Sequence, residues 1–230
     1  MTETMLKVPR FYPILDAGCF PNAFALITAA EELASAGVTL IQYRNKSGHA
    51  RVMLEQAREL KQRLMGIESQ NPHASQKLRD MGHPNVDNLI RLIMNDRADL
   101  AVAAGFDGVH VGQDDLLPES VRKIIGPDRW LGVSTHNPEQ LREADLTSAD
   151  YLAIGPVFLT SSKDKPDPVV GLEGVRQARQ LTRKPLVAIG GITRANAAYV
   201  IEAGADSVAV ISDLLREPRK SAEEFFRILR

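Results

Sequence analysis

Short apolar runs rich in Val, Ile and Leu alternate along the chain with amphipathic stretches, the pattern of a parallel sheet buried beneath helices on its outer face. The runs predict strands at Tyr12–Leu15, Thr39–Tyr43, Leu89–Met94, Gly108–Val111, Trp130–Val133, Tyr151–Ile154, Leu186–Ile189 and Ser207–Ile211. The stretches between them predict helices at Phe24–Ser35, Ala50–Met65, Arg97–Ala104, Glu119–Ile125, Pro138–Ala144, Leu172–Leu181, Ala195–Ala203 and Ser221–Leu229. Eight strands, each followed by a helix, specify an α/β fold, a single-domain (β/α)8 barrel spanning residues 1–230.

An internal echo fits this architecture. AGVTLIQYR, AGFDGVHVG and AGADSVAVI place Gly37, Gly105 and Gly204 between a helix and a buried strand, where a left-handed residue stops the helix. One segment breaks the alternation: Gly66 to Asn88 is polar, contains two prolines and has no sustained period. It reads as a surface insertion. Because it feeds into a strand, it is expected on the N-terminal face of the barrel, opposite the active site.

Composition narrows the class. The 230 residues are 44% hydrophobic and 25% charged, which excludes disordered, collagen-like and disulfide-scaffold chains. A net charge of -1 supplies no basic field for nucleic acid or an anionic membrane, so an anionic ligand has to be held by locally placed charges. Cys19 is the one cysteine and cannot form an internal disulfide; MTETMLKVPR lacks a signal-peptide core, and no apolar run approaches about 18 residues. A cytoplasmic protein acting on small molecules, without nucleic-acid or membrane partners, is the expectation. Whether it forms a homo-oligomer stays open.

In a (β/α)8 enzyme the reactive groups sit where strands end. Strand two ends in Gln42-Tyr43-Arg44-Asn45-Lys46, whose alternate members share a face while the chain is extended. Strand three ends in Asn95-Asp96, and strand four runs on to Asp115, giving two carboxylates for a hard cation such as magnesium. Ser134 follows strand five, and Thr160, Ser161, Ser162 and Lys163 follow strand six. The last two strands end in Gly190-Gly191 and Ile211-Ser212, where barrels commonly bind phosphate through backbone amides. Each feature has a plainer reading: Asp96 and Asp115 as helix caps, Arg44 and Lys46 as solvated charges, the glycine pair as a tight turn, and His110 and His136 as structural histidines. Their coincidence at one end of successive strands is what points to phosphate and metal chemistry.

As a set, QYRNK from Gln42, MNDRADLAVAAGFDGVHVGQDD from Met94, GVSTH from Gly132, DYLAIGPVFLTSSK from Asp150, AIGGI from Ala188 and AGADSVAVIS to Ser212 closely resemble the thiamine-phosphate synthase family, from about Tyr12 to Leu215. The resemblance implies condensation of a hydroxymethylpyrimidine diphosphate with a thiazole phosphate, releasing pyrophosphate, with Mg²⁺. Matched one at a time, Gln42, Arg44, Lys46 and Asn95 correspond to contacts on the pyrimidine diphosphate, and Ser134 to a residue facing it. Asp96 and Asp115 correspond to the magnesium ligands, and Lys163 to the lysine that meets pyrophosphate. Thr160, Ser161, Ser162, Gly191, Ile211 and Ser212 correspond to the thiazole-phosphate site. Ser162 departs from the usual threonine but keeps the hydroxyl.

Two alternatives are weighed. Related thiazole tautomerases share the fold and place a catalytic histidine near the position of Ser134, for which His136 is the local substitute here. A catalytically idle, metabolite-sensing barrel would have no need of both carboxylates and the matched cations.

Overall fold

The computed structural model describes residues 6–70, 90–160 and 167–230. Eight parallel strands close a barrel in sequence order: β1 Phe11–Asp16, β2 Leu40–Arg44, β3 Arg91–Asn95, β4 Gly108–Val111, β5 Trp130–Thr135, β6 Tyr151–Ile154, β7 Leu186–Ile189 and β8 Ser207–Val210. Closure is made by β8 pairing back on β1, with Tyr12 beside Ala209. Eight helices surround them among the described residues: α1 Ala23–Ser35, α2 Ala50–Gln70, α3 Ala98–Ala104, α4 Pro118–Ile125, α5 Pro138–Asp145, α6 Gly171–Leu181, α7 Ala197–Glu202 and α8 Pro218–Ile228. The predicted (β/α)8 barrel is the observed fold. None of these helices is long and apolar enough to cross a membrane.

The three glycines of the echo sit at φ 97°, 68° and 111°, the left-handed turn expected after a helix. Helix α2 runs to Gln70, so the first residues of the expected insertion extend it. The rest of that segment, 71–88, lies outside the described residues, as does Leu89 of the expected third strand.

Alternation along each strand splits the buried residues into two sets. One set packs between sheet and helices and holds most of the apolar side chains, including Leu15, Ile41, Val109, Leu152, Val208 and, from the helices, Leu33, Leu60, Val121 and Phe225. The other packs inside the barrel: Tyr12 and Ile14, Leu40, Ile93, Tyr151 and Ala153, Val187 and Ala209. Strand register carries this inner parity round the ring. Ile14 pairs with Gln42, Gln42 with Ile93, Asn95 with His110, His110 with Gly132, Gly132 with Tyr151, and Ser134 with Ala153. Asp16, Gln42, Arg44, Asn95, His110 and Ser134 therefore share the inner parity at the C-terminal end of the barrel. A shift of one residue in any of these strands would have turned its polar groups outward into the helix layer.

Candidate active site

Arg44 and Asp16 are register partners at the ends of β2 and β1, and the guanidinium forms an ion pair with the carboxylate. Asp16 also accepts a hydrogen bond from the Gly18 amide at 3.1 Å, so both of its oxygens are used. Burial lowers the pKa of Arg44, while the nearby Asp96 opposes that shift. The guanidinium is thus held by carboxylates at the barrel mouth instead of moving freely in solvent.

Two residues beyond Arg44, Lys46 donates to Asp96, which follows the neighbouring strand β3. Asp96 is a non-glycine residue with φ 62°, a left-handed conformation that costs energy but that Asp tolerates better than most residues. Its amide donates to the carbonyl of His110 at 2.7 Å, which ties this backbone to β4. Burial raises its pKa; the Lys46 hydrogen bond works the other way, and Asp115 adds to the rise. That mutual influence places the two carboxylates side by side. Asp115 in turn accepts from the Gly112 amide at 2.7 Å, closing the loop after β4. Neither carboxylate caps the helix that follows: α3 has no side-chain cap bond at Arg97, and α4 has none at Leu117. Two hard oxygen ligands suit a cation whose remaining positions come from water and a ligand phosphate. Among the described residues no group of three metal-ligating side chains gathers.

Asn95 is buried, and its Nδ2 has no hydrogen-bond partner. A buried amide donor left unpaired is costly, and it sits beside the carboxylates. Deeper inside, a hydrogen-bonded line crosses the barrel. Gln42 Nε2 donates to the Tyr12 hydroxyl at 2.9 Å, the Tyr12 and Tyr151 hydroxyls are 3.1 Å apart, His110 Nδ1 lies 3.0 Å from the Tyr151 hydroxyl, and His110 Nε2 lies 2.8 Å from Ser134 Oγ. Burial pushes the His110 imidazole down to about 4, against the pull of Asp115, so the ring is neutral near pH 7. Burial likewise raises both tyrosines, which stay protonated.

On the far side of the mouth, Gly190 and Gly191 have φ 97° and 65°. A Cβ on Gly191 would lie 2.5 Å from the Leu159 carbonyl oxygen and 2.7 Å from Phe158 Cβ, so the glycine lets the loop after β6 lie against the end of β7. Thr160 ends the described part of that loop; Ser161, Ser162 and Lys163 lie outside the described residues. Ile211 and the exposed Ser212 follow β8, with Ser212 opening a short 3₁₀ turn to Leu214.

The mouth thus brings together Gln42, Arg44, Lys46, Asn95, Asp96, Asp115 and Ser134. His136 is engaged elsewhere: Nδ1 lies 2.6 Å from the Gly155 carbonyl and Nε2 is 3.5 Å from Asp167. It is a structural histidine, as expected, and is not placed to act as a free base. A cleft of about 230 Å³ beside α5 and α6, lined by His136, Leu141, Ile154, Val170 and Glu173, includes none of the mouth's charged residues. Sequence reasoning missed Asp16, Tyr12 and Tyr151. Asp16 ends its strand as Asp96 ends its own, so the same rule would have found it; the tyrosines lie within apolar runs and carry no local signal.

The model of the thiamine monophosphate synthase family matches residues 76–214. A thiamine-phosphate synthase from Koribacter versatilis (strain Ellin345) is 56% identical over 227 residues, covering 97% of each chain. Its counterpart from Chloroflexus aurantiacus is 42% identical over 205 residues, covering 88% of this chain and 83% of its own. Among solved structures, a thiamine phosphate pyrophosphorylase from Pyrococcus furiosus superposes with a TM-score of 0.77 at 31% identity, covering 96% of this chain and 95% of its own. A tryptophan synthase α-subunit from Pyrococcus furiosus, at 15% identity and a TM-score of 0.62, shares the fold alone. The chain belongs to the thiamine-phosphate synthase family of transferases.

Proposed function

We propose that the protein condenses 4-amino-2-methyl-5-(diphosphooxymethyl)pyrimidine with 4-methyl-5-(2-phosphoethyl)thiazole, or with its carboxylated form and loss of CO₂, to give thiamine phosphate and pyrophosphate. The observation that carries this reading is the pairing of two cations, Arg44 and Lys46, with two adjacent carboxylates, Asp96 and Asp115, at one end of the barrel. A diphosphate needs both halves of that arrangement. Asp96 and Asp115 would hold Mg²⁺, which when bound neutralises charge on the leaving diphosphate.

The chain's own residues then have distinct tasks. Arg44, oriented by Asp16, grips phosphoryl oxygens, and Lys46 exchanges Asp96 for phosphate as the diphosphate enters. Lys163, from the loop after β6, meets the same group. Asn95 Nδ2 gains an acceptor in the bound substrate, while Gln42 and Ser134 orient the pyrimidine. The C–O bond to the methylene breaks with its electron pair going to the diphosphate. The ring's amino group stabilises the resulting cation, and the thiazole nitrogen donates its lone pair to form the new C–N bond. Thr160, Ser161, Ser162, Gly191, Ile211 and Ser212 hold the thiazole phosphate. No protein nucleophile is needed, so positioning and electrostatics carry the catalysis. The exposed thiol of Cys19, which has no partner cysteine, suits a reducing cytoplasm.

The test is incubation with both substrates and Mg²⁺, with assays for pyrophosphate and thiamine phosphate. Both products should appear together and only when both substrates are present. Thiazole interconversion without the pyrimidine would indicate an isomerase, and the absence of either reaction an idle barrel.

A further inference from the structure

The line from Gln42 to Ser134 links five side chains from β1, β2, β4, β5 and β6 by four hydrogen bonds of 2.8–3.1 Å. It is built into the barrel. A Cβ on Gly132 would come within 2.1 Å of Tyr151 Cζ and 2.4 Å of His110 Nδ1, although the backbone of Gly132 is not left-handed. That glycine is there for space, and the space is filled by the two central members of the line.

Direction follows from counting hydrogens. A tyrosine hydroxyl has one hydrogen, and both tyrosines are almost wholly buried, so a hydroxyl that accepted from both sides would strand its hydrogen without a partner. With Gln42 donating, Tyr12 must donate to Tyr151 and Tyr151 to His110 Nδ1. The neutral ring then carries its hydrogen on Nε2 and donates to Ser134 Oγ. The Ser134 hydroxyl hydrogen is left for a ligand, and Gln42 retains Oε1 as an acceptor together with its second Nε2 hydrogen. Reversal requires all five groups to turn together, after which Gln42 Oε1 is engaged by Tyr12 and Ser134 offers a ligand only lone pairs.

We propose that Tyr12, Tyr151 and His110 are positioning residues that couple Ser134 to Gln42, so that the Ser134 hydroxyl faces a bound heterocycle as a donor while the Gln42 amide keeps its carbonyl oxygen open as an acceptor. An aminopyrimidine edge, with an amino donor beside a ring-nitrogen acceptor, matches such a pair. Its 4-oxo counterpart, with a carbonyl and a ring N–H, has that order inverted. The choice of an aminopyrimidine as occupant rests on the function proposed above; the coupling of Gln42 to Ser134 does not.

The coupling is tested by ¹⁵N NMR of the His110 ring in the full-length protein. A single neutral tautomer is expected in the wild type. Tyr12→Phe, which cuts the line without touching His110, should change the tautomer ratio, whereas a merely space-filling line would leave it unaltered and overturn the proposal. Specificity is tested by comparing kcat/KM for the aminopyrimidine diphosphate and its 4-oxo analogue. Tyr151→Phe should reduce wild-type discrimination by about tenfold or more, with the loss mainly in KM for the pyrimidine. Thermal melts would establish that both variants are folded; if Tyr151→Phe is not, His110→Asn serves in its place. Unchanged discrimination in a folded variant would refute the role in specificity. Failure of condensation with every substrate would count against the proposed function, and the tautomer measurement would still decide the coupling.

Discussion

Replacing Asp16 by Asn tests whether Arg44 is positioned or merely present. The substitution keeps the size of the side chain and an oxygen for the Gly18 amide, and removes only the charge opposite the guanidinium. The side chains of the pair are 9% and 17% exposed. Breaking a fully buried pair costs about 3–5 kcal/mol and breaking an exposed one about 0–1 kcal/mol. With Asp96 as a second carboxylate near Arg44, an intermediate loss of about 2 kcal/mol is expected. For a chain of this length that lowers the melting temperature by about 4–8 °C. An unpaired Arg44 would also sample orientations away from the phosphate, so kcat/KM for pyrophosphate release should fall by about tenfold to a hundredfold. Circular-dichroism melts and a coupled pyrophosphate assay read the two effects separately. A variant that melts within a degree of wild type with unchanged kcat/KM would refute the positioning argument, and a fall in melting temperature alone would reduce Asp16 to a stabilising role.

Asp115→Asn should leave the fold intact while strongly reducing turnover and raising the Mg²⁺ concentration needed for half-maximal rate; full wild-type activity in excess chelator would dismiss the metal assignment. Gly191→Ala, which meets a left-handed φ and two close contacts, should cost about 1–3 kcal/mol and raise KM for the thiazole phosphate. By contrast, Gly66→Ala in helix α2, where a Cβ has open space, should stabilise by about 0.5–1 kcal/mol in a urea titration. The pKa of His110 is near 4 when folded and near 6.5 when unfolded, so the unfolded chain takes up a proton that the native state refuses. Its contribution to stability is therefore intact above about pH 6.5 and is lost as pH falls towards 4, by up to about 3 kcal/mol; urea titrations at pH 7 and 4.5 should show a smaller difference in His110→Gln than in wild type.

What could be read in advance divides along the range of the interactions involved. Strands β4, β6 and β7 fall on their expected bounds because a short, mostly apolar run bounded on both sides by polar or turn-forming residues is a local signal. Gln42, Arg44 and Lys46 were legible for the same reason, since polar and charged groups at alternate positions from the end of an apolar strand have one natural destination. Helix α2 runs past Met65 because Gly66 does not take the left-handed conformation that would stop it and no proline intervenes within the helix. Tyr12, His110 and Tyr151 could not be joined from the sequence, because their partnership depends on the strand register and on the missing side chain of Gly132. Ser161, Ser162 and Lys163 rest on the resemblance alone.

The hydroxyl contact between Tyr12 and Tyr151 joins positions 139 residues apart. Arg44, Lys46, Asp96 and Asp115 all lie in the first half of the chain. Ser134 and Tyr151 come later, and β1 has no partner on its second edge until β8 is made. Non-local closure of this kind forms late in folding. The inner ring that Tyr12 and Tyr151 share is therefore complete only when the last strand has joined the first, so a chain cut short anywhere before β8 lacks the closed interior that aligns the groups at the mouth.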